Sequence, residues 1–196
     1  MAAGEGSRLR PITEHWPKPV LPIDGKPVVV TLVHDLAASG CERIVVVTGH
    51  LAAQIEALLS PLPYAIEFVR QPPGQGSADA VLRAQARPPY LVLAADTVFG
   101  DGDLARFARE GAAADGAIAC HGEERPPLWL VGERVHRFLD PLPGKPPYEL
   151  QDVFAKAVDD GAEVSAIQVG RTRDLTTPVD LVRRNFPYLP GARTET

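Results

Sequence analysis

A chain of 196 residues, 45% hydrophobic and 23% charged, has the size and make-up of one soluble α/β domain that buries its core without disulfide or metal staples. A formal net charge of -5 with no basic stripe excludes the electrostatic footprint of a nucleic-acid binder, so any polyanion it takes is small. No apolar run approaches membrane length, no charged-then-apolar leader opens the chain, and Cys41 and Cys120 lack CxxC or Cys/His spacing; together these predict no membrane partner, buried reduced thiols and a cytoplasmic protein.

In chain order, residues 1–18 come first: two glycines, two arginines and a lysine in a turn-prone segment too polar for a core. Glycine lets a backbone approach a ligand that a side chain would block, and fixed cations neutralise phosphate oxygens, so the segment reads as a phosphate cradle. Residues 44–48 are a β-branched run expected as a buried strand, and Gly49-His50 turn into a helix over 51–59 that stops before Pro61 and Pro63. A strand over 65–69, a Pro/Gly-rich loop over 71–77, a helix over 78–85 and a strand over 90–95 ending at Asp96 repeat the unit. That alternation predicts a three-layer α/β/α domain with a mostly parallel mixed sheet, whose ligands bind outside the carboxyl ends of the strands. Further on come a helix over 103–111, strands over 117–120 and 128–131, a loop over 140–147, a helix over 149–160, a strand over 164–169 and a helix over 178–185. The domain is expected over 1–186, with 187–196 a tail.

Met1-Ala-Ala-Gly-Glu-Gly-Ser-Arg-Leu-Arg-Pro-Ile-Thr13 followed by Pro17-Lys-Pro and Gly25-Lys-Pro27 resembles the signature of the nucleotide-sugar pyrophosphorylases, the NTP:sugar-1-phosphate nucleotidyltransferases. It is neither a Walker A loop nor a dinucleotide fingerprint, because the glycine spacings differ. Gln71-Pro-Pro-Gly-Gln-Gly-Ser77 resembles the loop that meets the nucleotide base in that family, Val92 to Asp96 its metal-bearing strand end, Asp174 to Leu181 its DxGTPxDL element, and Glu149-Leu-Gln-Asp152 its sugar-side helix start.

The resemblance implies a Rossmann-like nucleotidyltransferase fold and a magnesium-assisted transfer of a nucleotidyl group from an NTP to a sugar 1-phosphate, giving an NDP-sugar and pyrophosphate. Ala2, Ala3, Gly4, Gly6 and Ser7 would line the triphosphate, Arg8 would hold the leaving pyrophosphate, and Lys18 would bridge the α-phosphate and the sugar phosphate. Gln71, Gly76 and Ser77 would meet the base, where an amide both donates and accepts and a glycine lets the ring lie flat on the backbone. Asp96 and Asp174 would hold Mg2+, an ion suited to carboxylates, phosphate oxygens and water. Glu149 and Lys26 are candidates on the sugar side, although a first-turn Glu also suits a helix dipole and Lys26 also reads as a surface lysine in a turn. His34 and His50 read as a helix and a turn residue and Trp129 as a core residue on a strand.

The expected partners are an NTP, with UTP or dTTP favoured, and a sugar 1-phosphate or other phosphomonoester; the expected assembly is a monomer or small homo-oligomer. Three departures from the family pattern bear on this. The segment from 117 to 131 is too short for a Glu-Lys-Pro sugar grip, Thr176 stands where the pattern has glycine, and no hydrophobic strand precedes the Ala-Ala-Gly turn. The last departure predicts a sheet with its first strand missing, an unsupported phosphate loop and a chain of low stability or activity. The first favours a CTP-dependent cytidylyltransferase for inositol phosphate or phosphocholine. A third alternative, of another class, is a non-catalytic nucleotide-sugar sensor or regulatory subunit, against which the joint presence of Arg8, Lys18, Asp96 and Asp174 argues.

Overall fold

The computed structural model describes residues 1–186, so the expected tail, 187–196, lies outside the described residues. Short 3-10 turns at Ser7–Leu9 and Lys18–Val20 flank α1 (Ile12–His15). Strands β1 (Pro22–Ile23) and β2 (Lys26–Pro27) form a hairpin whose two turn residues, Asp24 and Gly25, both have positive φ, the conformation an Asp-Gly pair favours. The chain then runs through α2 (Val28–Ala38), β3 (Ile44–Thr48), α3 (Ala52–Leu59), β4 (Ile66–Arg70), α4 (Ser77–Ala84), β5 (Tyr90–Leu93), β6 (Thr97–Val98) and α5 (Asp103–Gly111). It continues with β7 (Gly116–Cys120), β8 (Leu128–Val131), α6 (Glu133–His136), α7 (Leu150–Asp159), β9 (Val164–Gln168), β10 (Arg173–Asp174) and α8 (Pro178–Asn185).

The expected three layers and mixed sheet are present. β8 runs antiparallel to both β5 and β7, while β7 and β9 are parallel and β3 and β4 are parallel. Alternation along β5 sorts the layers: Val92 packs with Ala78, Val153 and Phe154 of α4 and α7, whereas its neighbour Leu93 packs with Leu32, Leu104 and Phe107 of α2 and α5. Trp129 on β8 packs against the first of these clusters, as expected of a strand tryptophan. Cys120 is buried and Cys41 half-buried; both are free thiols, and burial pushes the Cys41 thiol up.

The expected gap is also present. Among the described residues, β3–β4 and β5–β8–β7–β9 are separate ladders. Only Met1 and Ala2 lie between them: Ala2 bridges Thr48 in parallel and donates its N–H to Val47 O, the Met1 amine donates to Leu93 O at 2.8 Å, and Ala95 N–H donates to Met1 O. Below these two residues, a cavity of about 900 Å³ separates the facing edges of β3 and β5, walled by apolar side chains that include Leu32, Val33, Val46, Val81 and Val92. The phosphate loop is nevertheless supported, which corrects the expectation. Its root is held by these three hydrogen bonds, and its far end by the contacts of Gly6 and Thr13.

Candidate active site

Gly6 has φ +63, and a Cβ there would stand 3.0 Å from Thr13 Cγ2 and 3.2 Å from Lys18 Cβ, so the loop can fold back on itself only at a glycine. Thr13, 1% exposed, closes the loop by donating its hydroxyl to Gly6 O at 2.9 Å. His50 Nε2 donates to Thr13 O at 2.8 Å and Gln54 Nε2 to His15 O at 2.8 Å. Both histidines named from sequence therefore have structural partners, since His34 Nδ1 bonds Tyr64 Oη at 2.7 Å. Gly4 differs from Gly6, because a Cβ at Gly4 would meet no protein atom within 4 Å.

The loop faces a cavity of about 430 Å³ whose lining includes Ala2, Gly4, Gly6, Ser7, Arg8, Lys18, Asp96 and Asp174. Eight of the residues named from sequence thus surround one space. Lys18 Nζ lies 2.6 Å from Asp96 Oδ2, with only 18% and 28% of the two side chains exposed, so solvent screens the pair weakly. Asp96 sits between β5 and β6. The antiparallel pairing of β6 with β10 sets Asp174 opposite Thr97, which brings the second carboxylate beside the first although 78 positions separate them in the chain.

The turn that carries Asp174 is itself fixed. Asp180 Oδ2 accepts from the N–H groups of Thr176 and Thr177 and from the Thr177 hydroxyl, a capping box that starts α8 at Pro178. Burial pushes the Asp180 carboxyl up, but hydrogen bonds from Thr177 and Thr176 together with the Arg184 charge outweigh that and hold it below its ordinary value. Thr176 keeps negative φ, so no glycine is needed at that position, and its hydroxyl reaches Asp174 Oδ2 at 3.3 Å. Asp180 was missed in the sequence reading; the Thr-x-x-Asp spacing before a helix was the signal for it.

Two carboxylates in one cavity are hard oxygen donors of the kind magnesium takes, with phosphate and water completing its shell. Among the described residues no group of three or more His, Cys, Asp or Glu could hold a metal, which argues against a site built from protein ligands alone.

A second constellation lies two strands away. Gln71 follows β4, donates its N–H to Thr48 O, and donates its side-chain amide to Gly76 O at 2.7 Å and Asp79 Oδ2 at 2.9 Å. Gly76 is required for a reason other than the expected one: at φ +88 its Cβ would stand 2.3 Å from Tyr148 O. The backbone of 148 runs across it, donating to Gln75 O and accepting from Ala78 N–H. Ser77 Oγ donates to Glu149 Oε2 at 2.6 Å and accepts from Leu150 N–H at 2.7 Å. Glu149 is thus tied to the base loop at the start of α7. Neither these residues nor Ala3, which packs on Gly49, line the 430 Å³ cavity. Lys26 sits exposed on the β1–β2 hairpin, also outside it.

Residues 1–161 match the MobA-like NTP transferase domain. The bifunctional protein GlmU of Methanococcus maripaludis is 35% identical over 103 residues, 52% of this chain and 25% of that protein. Mannose-1-phosphate guanylyltransferase of Mycobacterium tuberculosis is 28% identical over 229 aligned residues, covering 97% of this chain and 64% of that protein. The chain therefore spans from a quarter to just under two thirds of the length of these relatives. A UDP-glucose pyrophosphorylase solved with UDP-glucose superposes with a TM-score of 0.80 at 17% identity, covering 95% of each chain, a likeness of fold.

Proposed function

The chain belongs to the MobA-like NTP transferase family, and on that premise we propose that it transfers a nucleotidyl group from an NTP to a sugar 1-phosphate, releasing pyrophosphate. The observation that carries this is the convergence of a glycine loop, Arg8, Lys18, Asp96 and Asp174 on one cavity. An oxygen of the sugar phosphate attacks the α-phosphorus; as that P–O bond forms, the bond to the oxygen bridging to the β-phosphate breaks, and pyrophosphate leaves with the electron pair. The attacking oxygen is already anionic, so no protein base is needed. What the protein must supply is alignment of two polyanions and neutralisation of charge.

Backbone N–H groups of Gly4 to Ser7 and the Ser7 hydroxyl would receive the triphosphate, Arg8 would hold the departing oxygens, and Lys18 would bridge the α-phosphate and the sugar phosphate. Asp96 and Asp174 would hold magnesium, which supplies further charge neutralisation at the phosphates when bound. Gly4 supports this role for the loop: no protein atom needs the space its missing Cβ leaves, whereas a phosphate lying on the backbone would.

A second reading, CTP-dependent activation of inositol phosphate or phosphocholine, is favoured by one observation: β7 and β8 are joined by residues 121–127 only, leaving little chain to grip a sugar. A pyrophosphate-release screen of the NTPs against phosphorylated sugars and alcohols, with magnesium, separates the two. Absence of release with every nucleotide and every acceptor would point to the non-catalytic alternative, provided nucleotide-sugar still binds. No helix among the described residues is long and apolar enough to cross a membrane, and we propose a cytoplasmic monomer or small homo-oligomer.

A further inference from the structure

Asp103, the first residue of α5, is 7% exposed, and the proposed reaction gives it no task. Its two oxygens face different partners. Oδ2 accepts from Gly100 N–H at 3.2 Å and from Gly170 N–H at 2.9 Å, while Oδ1 accepts from Arg106 Nη2 at 2.6 Å. Gly100 is a local partner, three residues earlier in the turn that opens α5; Gly170 lies 67 positions further on, just past the end of β9. Arg106 makes the same connection a second time, because its Nη1 donates at 2.7 Å to the carbonyl of Gln168, the last residue of β9.

Both backbone partners are glycines for want of room. A Cβ would stand 2.8 Å from Asp103 Oδ2 at Gly100 and 2.9 Å from it at Gly170, so a side chain at either place pushes the carboxylate off its donors. Conformation is not the reason, since neither glycine has a positive φ.

What these two segments carry gives the arrangement its meaning. Gly100 comes two residues after β6, which starts directly after Asp96, and Gly170 comes three residues before β10, which ends at Asp174. The ladder between β6 and β10 has two rungs, Val98 with Arg173 and Thr97 with Asp174. So short a pairing fixes little by itself. Asp180 holds it at one end through the N–H groups of Thr176 and Thr177. Asp103 closes the other end, joining the two segments where their own pairing stops.

We propose that Asp103 is a positioning residue for the metal pair: with Gly100 and Gly170 on one oxygen it locks β6 against β10, and thereby the spacing of Asp96 and Asp174. This rests on the proposed reaction, and within it on the assignment of magnesium to those two carboxylates. Asp103 itself lines no part of the 430 Å³ cavity.

Mn2+ serves as the probe for the metal site. Its affinity for the whole chain is read by electron paramagnetic resonance in the presence of the α,β-methylene analogues of UTP, GTP and CTP in turn. Asp103→Asn keeps the size of the side chain but breaks its wiring, because an amide has one accepting end, and its NH2 must then face either the glycine N–H groups or Arg106. Mn2+ affinity should fall about tenfold, the low end of what groups behind metal ligands contribute. Gly170→Ala leaves the carboxylate in the chain and displaces it from the N–H, so it should cause a similar fall. The double variant should lose no more than the larger single loss, since both changes break one link.

Asp115→Asn is the control. Asp115 also ties two segments, accepting from Glu163 N–H at 2.9 Å and facing Arg134, but it precedes β7 at the edge of the sheet opposite Asp96. That variant should melt earlier and keep its Mn2+ affinity. A merely structural Asp103 behaves the same way: wild-type Mn2+ affinity in Asp103→Asn overturns the proposal however far the melting temperature drops, and so do losses that multiply in the double variant. If Asp103→Asn does not fold, Gly170→Ala decides by the same measurement. The expected Mn2+ losses without turnover of any phosphomonoester keep this inference and sink the proposed reaction; a wild-type chain that binds no Mn2+ with any analogue sinks this inference together with the metal assignment.

Discussion

Lys18 and Asp96 meet at 2.6 Å in the cavity that the glycine loop faces, the lysine from the turn after α1 and the carboxylate from the segment between β5 and β6. They form an ion pair in a half-enclosed place, and each has a proposed task of its own on the phosphates. Lys18→Ala and Asp96→Ala should both lower kcat/KM on the order of a hundredfold, the usual cost of removing one preorganised charge contact. Magnesium titration separates their roles: the half-saturating concentration should rise in Asp96→Ala and not in Lys18→Ala. Activity surviving in Asp96→Ala would remove the metal assignment.

Gly76 and Gly4 are expected to fail differently when substituted. At Gly76, φ 88 with ψ 176 is a conformation open essentially to glycine alone, and the Cβ would overlap the Tyr148 backbone. Gly76→Ala should destabilise by about 2 to 5 kcal/mol from strain and overpacking combined. Gly4→Ala should leave stability within about 0.5 kcal/mol, because its Cβ meets nothing, yet weaken triphosphate binding tenfold or more. Urea melts of both variants beside nucleotide titrations check the contrast. A Gly4→Ala protein that binds normally would show that no phosphate lies on that stretch of backbone.

Acid should loosen the turn that carries Asp174. The Asp180 carboxyl is held below its ordinary 3.8 in the fold, so its cap contributes fully above that pH and is lost as pH falls through the lowered folded value. Asp180→Ala should cost about 1 kcal/mol, typical of a lost helix cap, flatten the acid limb of the stability profile, and raise the magnesium requirement by letting Thr176 and Asp174 shift. An unchanged magnesium requirement would leave Asp180 as a helix cap and nothing more.

The slot between β3 and β5 suggests a gain of stability. Five or six apolar, β-branched residues joined in front of Met1 would run parallel to both neighbours, as Met1 and Ala2 already do, and fill the cavity beneath them. The melting temperature should rise by several degrees. Equal melting temperatures with and without the added residues would mean that the slot does not accept a strand.

Much of this was readable in the sequence because the signals are local. The β-branched run of 44–48 and the helix over 103–111 were placed at their observed bounds, since apolar period and flanking turn residues suffice. The two-residue strands β6 and β10 were not readable, because only tertiary pairing makes them strands, and they are what set Asp174 beside Asp96. The loop residues 71–77 were assigned to the base side by resemblance, but spacing could not reveal that the Ser77 hydroxyl and the Gln75 carbonyl are spent on residues 148–150, more than 70 positions later. Interrupted pairing was foreseen at the first strand; the way Met1 and Ala2 stitch the interruption was not.

Ser77 Oγ touches the loop that reaches toward the base and the first turn of the helix expected on the acceptor side, donating to Glu149 and capping Leu150 in the same instant. One hydroxyl is therefore a pin between the two halves of the proposed bisubstrate site. Whatever displaces it on one side does work on the other, and the coupling must run equally in both directions.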